Sequence, residues 1–171
     1  MANGITFADA VELAHSVPRL SVGCHVVLID GEPVLPAGEL SSLTRGGRFR
    51  DGLKTFAARA LAARIDDEEV FAEVAAQIRR IQSAGIRIAH FDTHKHTHLF
   101  PRILRPVLRA AKARGVAAVR NPFGPRMPMR SSAFLQRPNL WTRYAQLRVL
   151  GAFARTFRAA VDQEGFATTD G

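Results

Sequence analysis

Ile86-Arg87-Ile88-Ala89-His90-Phe91-Asp92-Thr93-His94-Lys95-His96-Thr97-His98 sets a short apolar run directly before a dense polar cluster. Four of the six histidines and one carboxylate fall within nine residues, and Leu99-Phe100-Pro101 follows. The pattern reads as a buried strand that delivers polar side chains to the end of a sheet. Imidazole is the commonest protein ligand for metals and moves protons near neutral pH, so the cluster is a metal site, an acid/base site or both. Residues two apart share one side of a strand. If the chain stays extended, Asp92, His94, His96 and His98 share a side, and three imidazoles on one side can bind zinc with a position left open for water. A helical alternative pairs His94 with His98 but lacks the Glu of the His-Glu-x-x-His motif. The plainer reading is a set of surface or hydrogen-bonded histidines.

Working outward, Leu20 to Ile29 is a second β-rich apolar run, closed by the turn signals Asp30-Gly31 and Pro33. Val116 to Arg120 is a third, short strand ended by Asn121-Pro122. Helical spacing of apolar residues marks Ile5 to His15, with Thr6 as its cap. The same signal marks Leu53 to Arg64, Glu68 to Ser83 (Val70, Val74, Ile78, Ile81) and Pro101 to Arg114 (Ile103, Leu104, Val107, Leu108, Ala111). Gly85 and Gly115 stop the last two. Pro36 to Gly52 reads as a loop around Gly46-Gly47, and Gly124 to Pro138 as an irregular connection. Asn139 to Val161 reads as a long basic amphipathic helix. Strands separated by helices predict an α/β fold with a parallel sheet and crossover helices. In such folds the functional groups sit at the carboxyl ends of the strands, so His25, the histidine run and Arg120 would meet at one rim.

His25, alone in an apolar strand, is by itself an ordinary core residue and gains meaning only by joining the cluster across the sheet. Asp92 reads either as a carboxylate that fixes a histidine tautomer or as a strand-end cap. His15 reads as structural, His90 as a group orienting a neighbour and Cys24 as a small buried packing residue. Lys95 carries no signal of its own. Gly-rich phosphate loops, Gly-x-Ser-x-Gly elbows and Cys-x-x-Cys pairs are absent from the sequence.

The apolar content of 47% argues against disorder, and no apolar run is long enough to span a membrane as a helix. One cysteine and the lack of a leader pattern predict a cytoplasmic location. The net charge of +9 is uneven: Thr93 to Val161 holds 14 Lys and Arg and no Asp or Glu. That half allows a non-catalytic alternative, a binding protein that sets its Arg-rich amphipathic helix on an anionic membrane or on nucleic acid, with nucleic acid the less favoured. The plainer reading is a solvated surface on a helix whose apolar side packs on the domain.

The run His90 to Pro101 resembles the histidine motif of YdjC-like carbohydrate deacetylases. Val22-Gly23-Cys24-His25-Val26 is similar to that family's Gly-x-His-Leu strand, with Val for Leu, and Val119-Arg120-Asn121-Pro122 to its short Arg-containing strand. Gly165 to Gly171 resembles the segment leading into its later barrel strands. Gly31-Glu32-Pro33-Val34-Leu35-Pro36 fits the hopanoid-biosynthesis-associated branch. The resemblance implies a TIM-barrel-like fold and metal-dependent removal of N-acetyl groups from amino sugars, with Mg²⁺ or Zn²⁺. It implies His25 and His94 as metal ligands and Arg120, His96 and His98 on the substrate side. A lipid-linked amino sugar would bring the protein to the inner membrane face, and a homo-oligomer is compatible with the family.

The family's first strand ends in Asp-Asp, the first a base and the second a metal ligand. This sequence has its only Asp-Asp at Asp66-Asp67, after His25 and opening a helix. The expectation is therefore a single incomplete domain over residues 1–171, a partial barrel lacking segments at both ends. Its catalytic base is unassigned, and the expectation for the isolated fragment is a marginal or inactive protein.

Overall fold

The computed structural model describes residues 1–123 and 151–169. The elements in chain order are α1 (Phe7–Ser16), β1 (Val22–Val26), a 3₁₀ turn (Ala37–Glu39), β2 (Thr44–Arg45), β3 (Arg48–Phe49), α2 (Leu53–Leu61), α3 (Asp67–Ser83), β4 (Ile88–Thr93), a second 3₁₀ turn (His94–Leu99), α4 (Pro101–Ala113) and α5 (Ala154–Glu164). β1 and β4 pair in parallel, with Cys24 opposite Phe91 and His25 opposite Asp92. The expected third strand adds to β4 by a single parallel bridge, Phe91 to Val119, and Ala118 bridges in turn to Ala167. The order is β1, β4, Ala117–Arg120, Ala167, each step parallel and each separated by helix in the sequence. This is the predicted α/β arrangement.

The helices form where the apolar stripes lie. Asp66 accepts from the N–H groups of Glu68 and Glu69 and caps α3, a contact worth about 1 kcal/mol. Val70, Val74, Ile78 and Ile81 are all buried, as are Ile103, Leu104, Val107, Leu108 and Ala111 on α4, and the two helices pack on each other. Pro101 opens α4, where its missing N–H costs nothing. Residues 124–138 and the first part of the expected helix 139–161 lie outside the described residues. Its last part is α5, which runs on to Glu164. α5 turns Phe157 and Val161 into the core and leaves Arg155 and Arg158 exposed, so this stretch uses its apolar side for packing.

Three local expectations need correction. Residues 36–52 are not simply loop: β2 and β3 form a hairpin with Thr44 opposite Phe49. Gly46 and Gly47 both take positive φ, 61° and 85°, which a two-residue turn matching strand twist requires. α2 ends at Leu61 rather than Arg64, because Ala63 turns left-handed (φ 55°). Thr6 occupies the capping position of α1, but its side chain makes no capping bond.

The ladder of β1 also stops at Val26, short of Ile29. The backbone of Val27 is instead satisfied by a side chain: Gln77 Oε1 accepts from its N–H (2.9 Å) and Gln77 Nε2 donates to its carbonyl (2.7 Å). Gln77 also donates to Glu73 (2.8 Å), whose buried carboxylate accepts the N–H groups of Val34 (2.9 Å) and Leu35 (3.0 Å). Burial pushes the Glu73 carboxyl above its ordinary range, against the pull of these three donors. Replacing Gln77 by Leu keeps the volume but strands both polar groups of Val27. The expected loss is about 3 kcal/mol in urea unfolding; a loss below about 1 kcal/mol would show that this amide does not hold the strand end.

Candidate metal and substrate site

The parallel register sets His25 beside Asp92 at the carboxyl ends of two strands. His25 Nδ1 lies 2.7 Å from Asp92 Oδ1. An ionised carboxylate only accepts, so the ring donates from Nδ1 and its Nε2 carries the free lone pair. That lone pair faces Nδ1 of His94, 3.4 Å away, with the rings edge-on at 79°. The second oxygen of Asp92 is 3.5 Å from Arg120 Nη1, and the guanidinium is otherwise largely exposed. Burial would raise the Asp92 carboxyl, but the His25 hydrogen bond and the charges of His25 and Arg120 outweigh it and hold the group below its usual range. Burial, followed by the neighbouring charges of His25 and Lys95, holds the His94 imidazole below its ordinary pKa. The neutral ring, the form that can ligate, is favoured.

The histidine run does not stay extended. After Thr93 the backbone turns, with Lys95 (φ 52°) and His96 (φ 53°) both left-handed, a conformation that costs non-glycine residues about 1–2 kcal/mol each. His94, His96 and His98 therefore do not share a side, and the three-imidazole site expected from extended spacing is not formed. The helical pairing of His94 with His98 is not formed either. His94 alone joins His25. His96 is half-buried and edge-on to His98 (ring centroids 6.2 Å), and burial together with the charge of Arg120 lowers its pKa. His98 is 1% exposed and packs on Phe157 (ring centroids 5.6 Å). Its Nδ1 is 2.6 Å from Thr93 Oγ1, which also accepts the His98 N–H (3.1 Å). His98 thus lies beneath the site and holds the turn, rather than facing a ligand.

A residue that sequence reasoning missed completes the picture. Asp30, four residues past β1, reads only as a turn former before Gly31. Its Oδ2 accepts from Lys95 Nζ (2.6 Å) and lies 3.8 Å from His94 Nε2, while Oδ1 accepts the N–H of Gly52 (2.8 Å). The Lys95 hydrogen bond leads the causes that hold its carboxyl below the ordinary range. The only available signal was position: Asp30 follows the same strand end that carries His25.

The other titratable candidates stand apart. Burial pushes the Cys24 thiol up to about 12, consistent with a packing role. His15 Nε2 is 2.8 Å from the carbonyl of Ala84. His90 lies across Gly23, where a Cβ would come within 2.5 Å of the ring.

The donor set fits part of a metal site. Two ring nitrogens converge, and one ring is held from behind by a carboxylate, the usual support of a ligating histidine. Among the described residues no third His, Cys, Asp or Glu joins them to make a three-ligand group, where zinc sites ordinarily have at least three protein ligands.

The profile of the family described as YdjC-like protein matches residues 1–171. A carbohydrate deacetylase of Brevibacillus brevis is 40% identical over 113 residues, covering 66% of this chain and 42% of that protein. A chitooligosaccharide deacetylase of Salmonella schwarzengrund is 35% identical over 118 residues, 68% of this chain and 44% of its own length. The chain thus spans less than half the length of these curated relatives. Among solved structures, an Enterococcus faecalis protein described as a cellobiose-phosphate cleavage protein superposes with a TM-score of 0.67 at 23% identity, over 100% of this chain and 54% of that one, a likeness of fold.

Burial drives the His98 imidazole down to about 3 from the ordinary 6.5. A histidine with a depressed folded pKa contributes stability above its unfolded pKa and loses it as pH falls through the window from about 6.5 to about 3. Acidification from about pH 7 to about pH 5 should cost the wild type about 2 kcal/mol more than His98→Asn, which keeps a hydrogen-bonding atom for Thr93. Parallel pH–stability curves in urea would refute this placement of His98.

Proposed function

This chain belongs to the YdjC-like family, and we propose that it forms the metal- and substrate-binding part of a carbohydrate deacetylase acting on N-acetylated amino sugars. The observation that carries the reading is the convergence of His25 Nε2 and His94 Nδ1 at 3.4 Å. These two nitrogens would hold a divalent ion, Zn²⁺ or Mg²⁺, which supplies carbonyl polarisation and an activated water when bound. Asp92 keeps the His25 ring in the ligating tautomer. Arg120, fixed through Asp92 yet exposed, offers donors to the hydroxyl and carbonyl oxygens of a sugar, and His96 is a second candidate on the substrate side. Hydrolysis of the amide puts the water oxygen on the acetyl carbon and a proton on the departing amine.

Among the described residues both carboxylates at this rim are engaged, Asp92 by His25 and Arg120 and Asp30 by Lys95 and Gly52. Neither is free to act as the base, and lack of a base lowers a rate by on the order of 10²–10⁴. The Gly31–Pro36 segment supports the hopanoid-associated branch, and in the fold Glu73 grips it through Val34 and Leu35.

The test combines metal and activity. Added Zn²⁺ should bind one to one and raise the melting temperature, by about 2.7 kcal/mol of stabilisation at a hundredfold excess over Kd. His94→Ala and His25→Ala should abolish the shift, and Asp92→Asn should weaken binding about 10- to 100-fold. Acetate release from diacetylchitobiose should be slow, should require the metal and should vanish in His94→Ala. Arg120→Ala should raise KM more than it lowers kcat. Zn²⁺ binding that survives His94→Ala would overturn the ligand assignment, and metal-independent acetate release would overturn the mechanism.

A further inference from the structure

Among the described residues four non-glycine residues take positive φ: Asp30, Ala63, Lys95 and His96. Asp30 and the consecutive pair Lys95-His96 make up three of the four, and one carboxylate joins them. Asp30 Oδ2 accepts from Lys95 Nζ (2.6 Å), while Oδ1 accepts the N–H of Gly52 (2.8 Å), itself at φ 84°. A left-handed backbone is unfavourable for a residue with a Cβ and persists only where the surroundings hold it. Such strain gathers where a structure fixes a functional geometry. Lys95 and His96 are neither glycine nor asparagine, so their own side chains do not favour this conformation. We propose that Asp30 and Lys95 are a positioning pair: their contact holds the turn after β4 left-handed, which stands His94 against His25 and keeps His96 and His98 off that point.

An extended continuation of β4 would bring His94, His96 and His98 to one side. Two consecutive left-handed residues end that alternation directly after His94. The turn is braced twice. From inside, Thr93 Oγ1 accepts the N–H of His98 (3.1 Å) and lies 2.6 Å from its Nδ1, which closes the chain behind Lys95 and His96. From outside, Asp30 takes the Lys95 ammonium and ties the turn to a point 65 residues away in sequence. Asp30 itself is on a fixed stretch of backbone. The Gly31 carbonyl accepts the N–H of Phe49 (2.9 Å), and Gln77 grips both polar groups of Val27. An ion pair between two mobile surface side chains contributes little. Here the carboxylate is already ordered by Gly52, so less freedom is lost when the ammonium joins it.

The affinity arm of this inference rests on the function proposed above, whereas the backbone arm stands on the metal-free protein. One-bond Cα–Hα couplings in NMR spectra report the sign of φ, and in the wild type they should mark Lys95 and His96 as left-handed. Asp30→Asn keeps an oxygen for Gly52 but sets an uncharged amide against the ammonium. Both couplings should then move toward their negative-φ values, and Zn²⁺ affinity by calorimetry should fall on the order of tenfold. Lys95→Met, which strips the charge from the other side of the pair, should do the same. Glycine takes positive φ without a clasp, so adding Lys95→Gly to Asp30→Asn should restore the His96 coupling and most of the lost affinity. Couplings that stay unchanged in Asp30→Asn and Lys95→Met would show that Thr93 and His98 hold the turn alone, and the inference is overturned while Zn²⁺ binding by the wild type keeps the metal reading. Couplings that move with affinity undiminished would separate the turn from the placement of His94 and overturn it as well. Affinity lost in Asp30→Asn and not recovered with Lys95→Gly would mean that Asp30 acts on the site directly, which again overturns it. If the couplings respond as stated but no form of the chain binds Zn²⁺, the pair stands as the holder of the turn and the metal reading fails.

Discussion

The cross-strand pair of His25 and Asp92 is the interaction on which the site depends. It exists because β1 and β4 run parallel in continuous register from Gly23 to Val26, after a one-residue shift past Val22. A slip of one residue would send every side chain of one strand to the opposite face. The register is held from below by apolar burial: Cys24, Val26, Phe91 and Val119 are all in the core, and Phe91 meets Phe166 edge-on at 6.0 Å. The polar pair at the top of the sheet is therefore fixed by hydrophobic packing beneath it. Asp92 reaches both His25 and Arg120, so one carboxylate couples the first, second and third strands of the sheet at their functional ends.

A second layer of order comes from polar groups inside the domain. Gln77 and Glu73 lie one helical turn apart on α3 and are fully buried. Together they serve the backbone of Val27, Val34 and Leu35, the stretch that contains Asp30. A buried polar network with its partners in place specifies one arrangement, because an unpaired member would be costly. The chain after β1 is thus held largely by side chains of a helix, with the Gly31 carbonyl also accepting the N–H of Phe49 on β3 (2.9 Å), and Asp30 is brought to the rim without any sheet pairing of its own.

Much of this was readable from residues alone. The stripes of α3 and α4 follow from periodicity, since burial of one helix face is a local pattern. The approach of His25 to His94, and of Asp92 behind His25, follows from strand ends meeting at one rim, together with the family resemblance. The side-by-side placement of His94, His96 and His98 failed because alternation presumes an extended chain. Nothing in His-Lys-His announces two consecutive left-handed residues, the first of which is clasped here by distant Asp30. Asp30 was hidden for the same reason: its contact with Lys95 spans 65 residues, and only the closed sheet brings the two together. The hairpin at Gly46-Gly47 was legible as a turn but not as a pair of strands, because each strand is only two residues long.

The first helix behaves differently from the rest. α1 has no buried residue, and Leu13 and the flanking Ile5, Val17 and Leu20 stand exposed. It is held by a few contacts: Phe7 beneath the Arg80 guanidinium at 5.0 Å, and His15 on the Ala84 carbonyl. On either side the chain is secured separately, by buried Ala2 and the Asn3 bond to Glu32 before it and by β1 after it. Opening free energy follows buried contact. α1 is accordingly a subglobal unfolding unit, an arch between two fixed abutments that can lift and reseat while the sheet and its paired imidazoles remain in register.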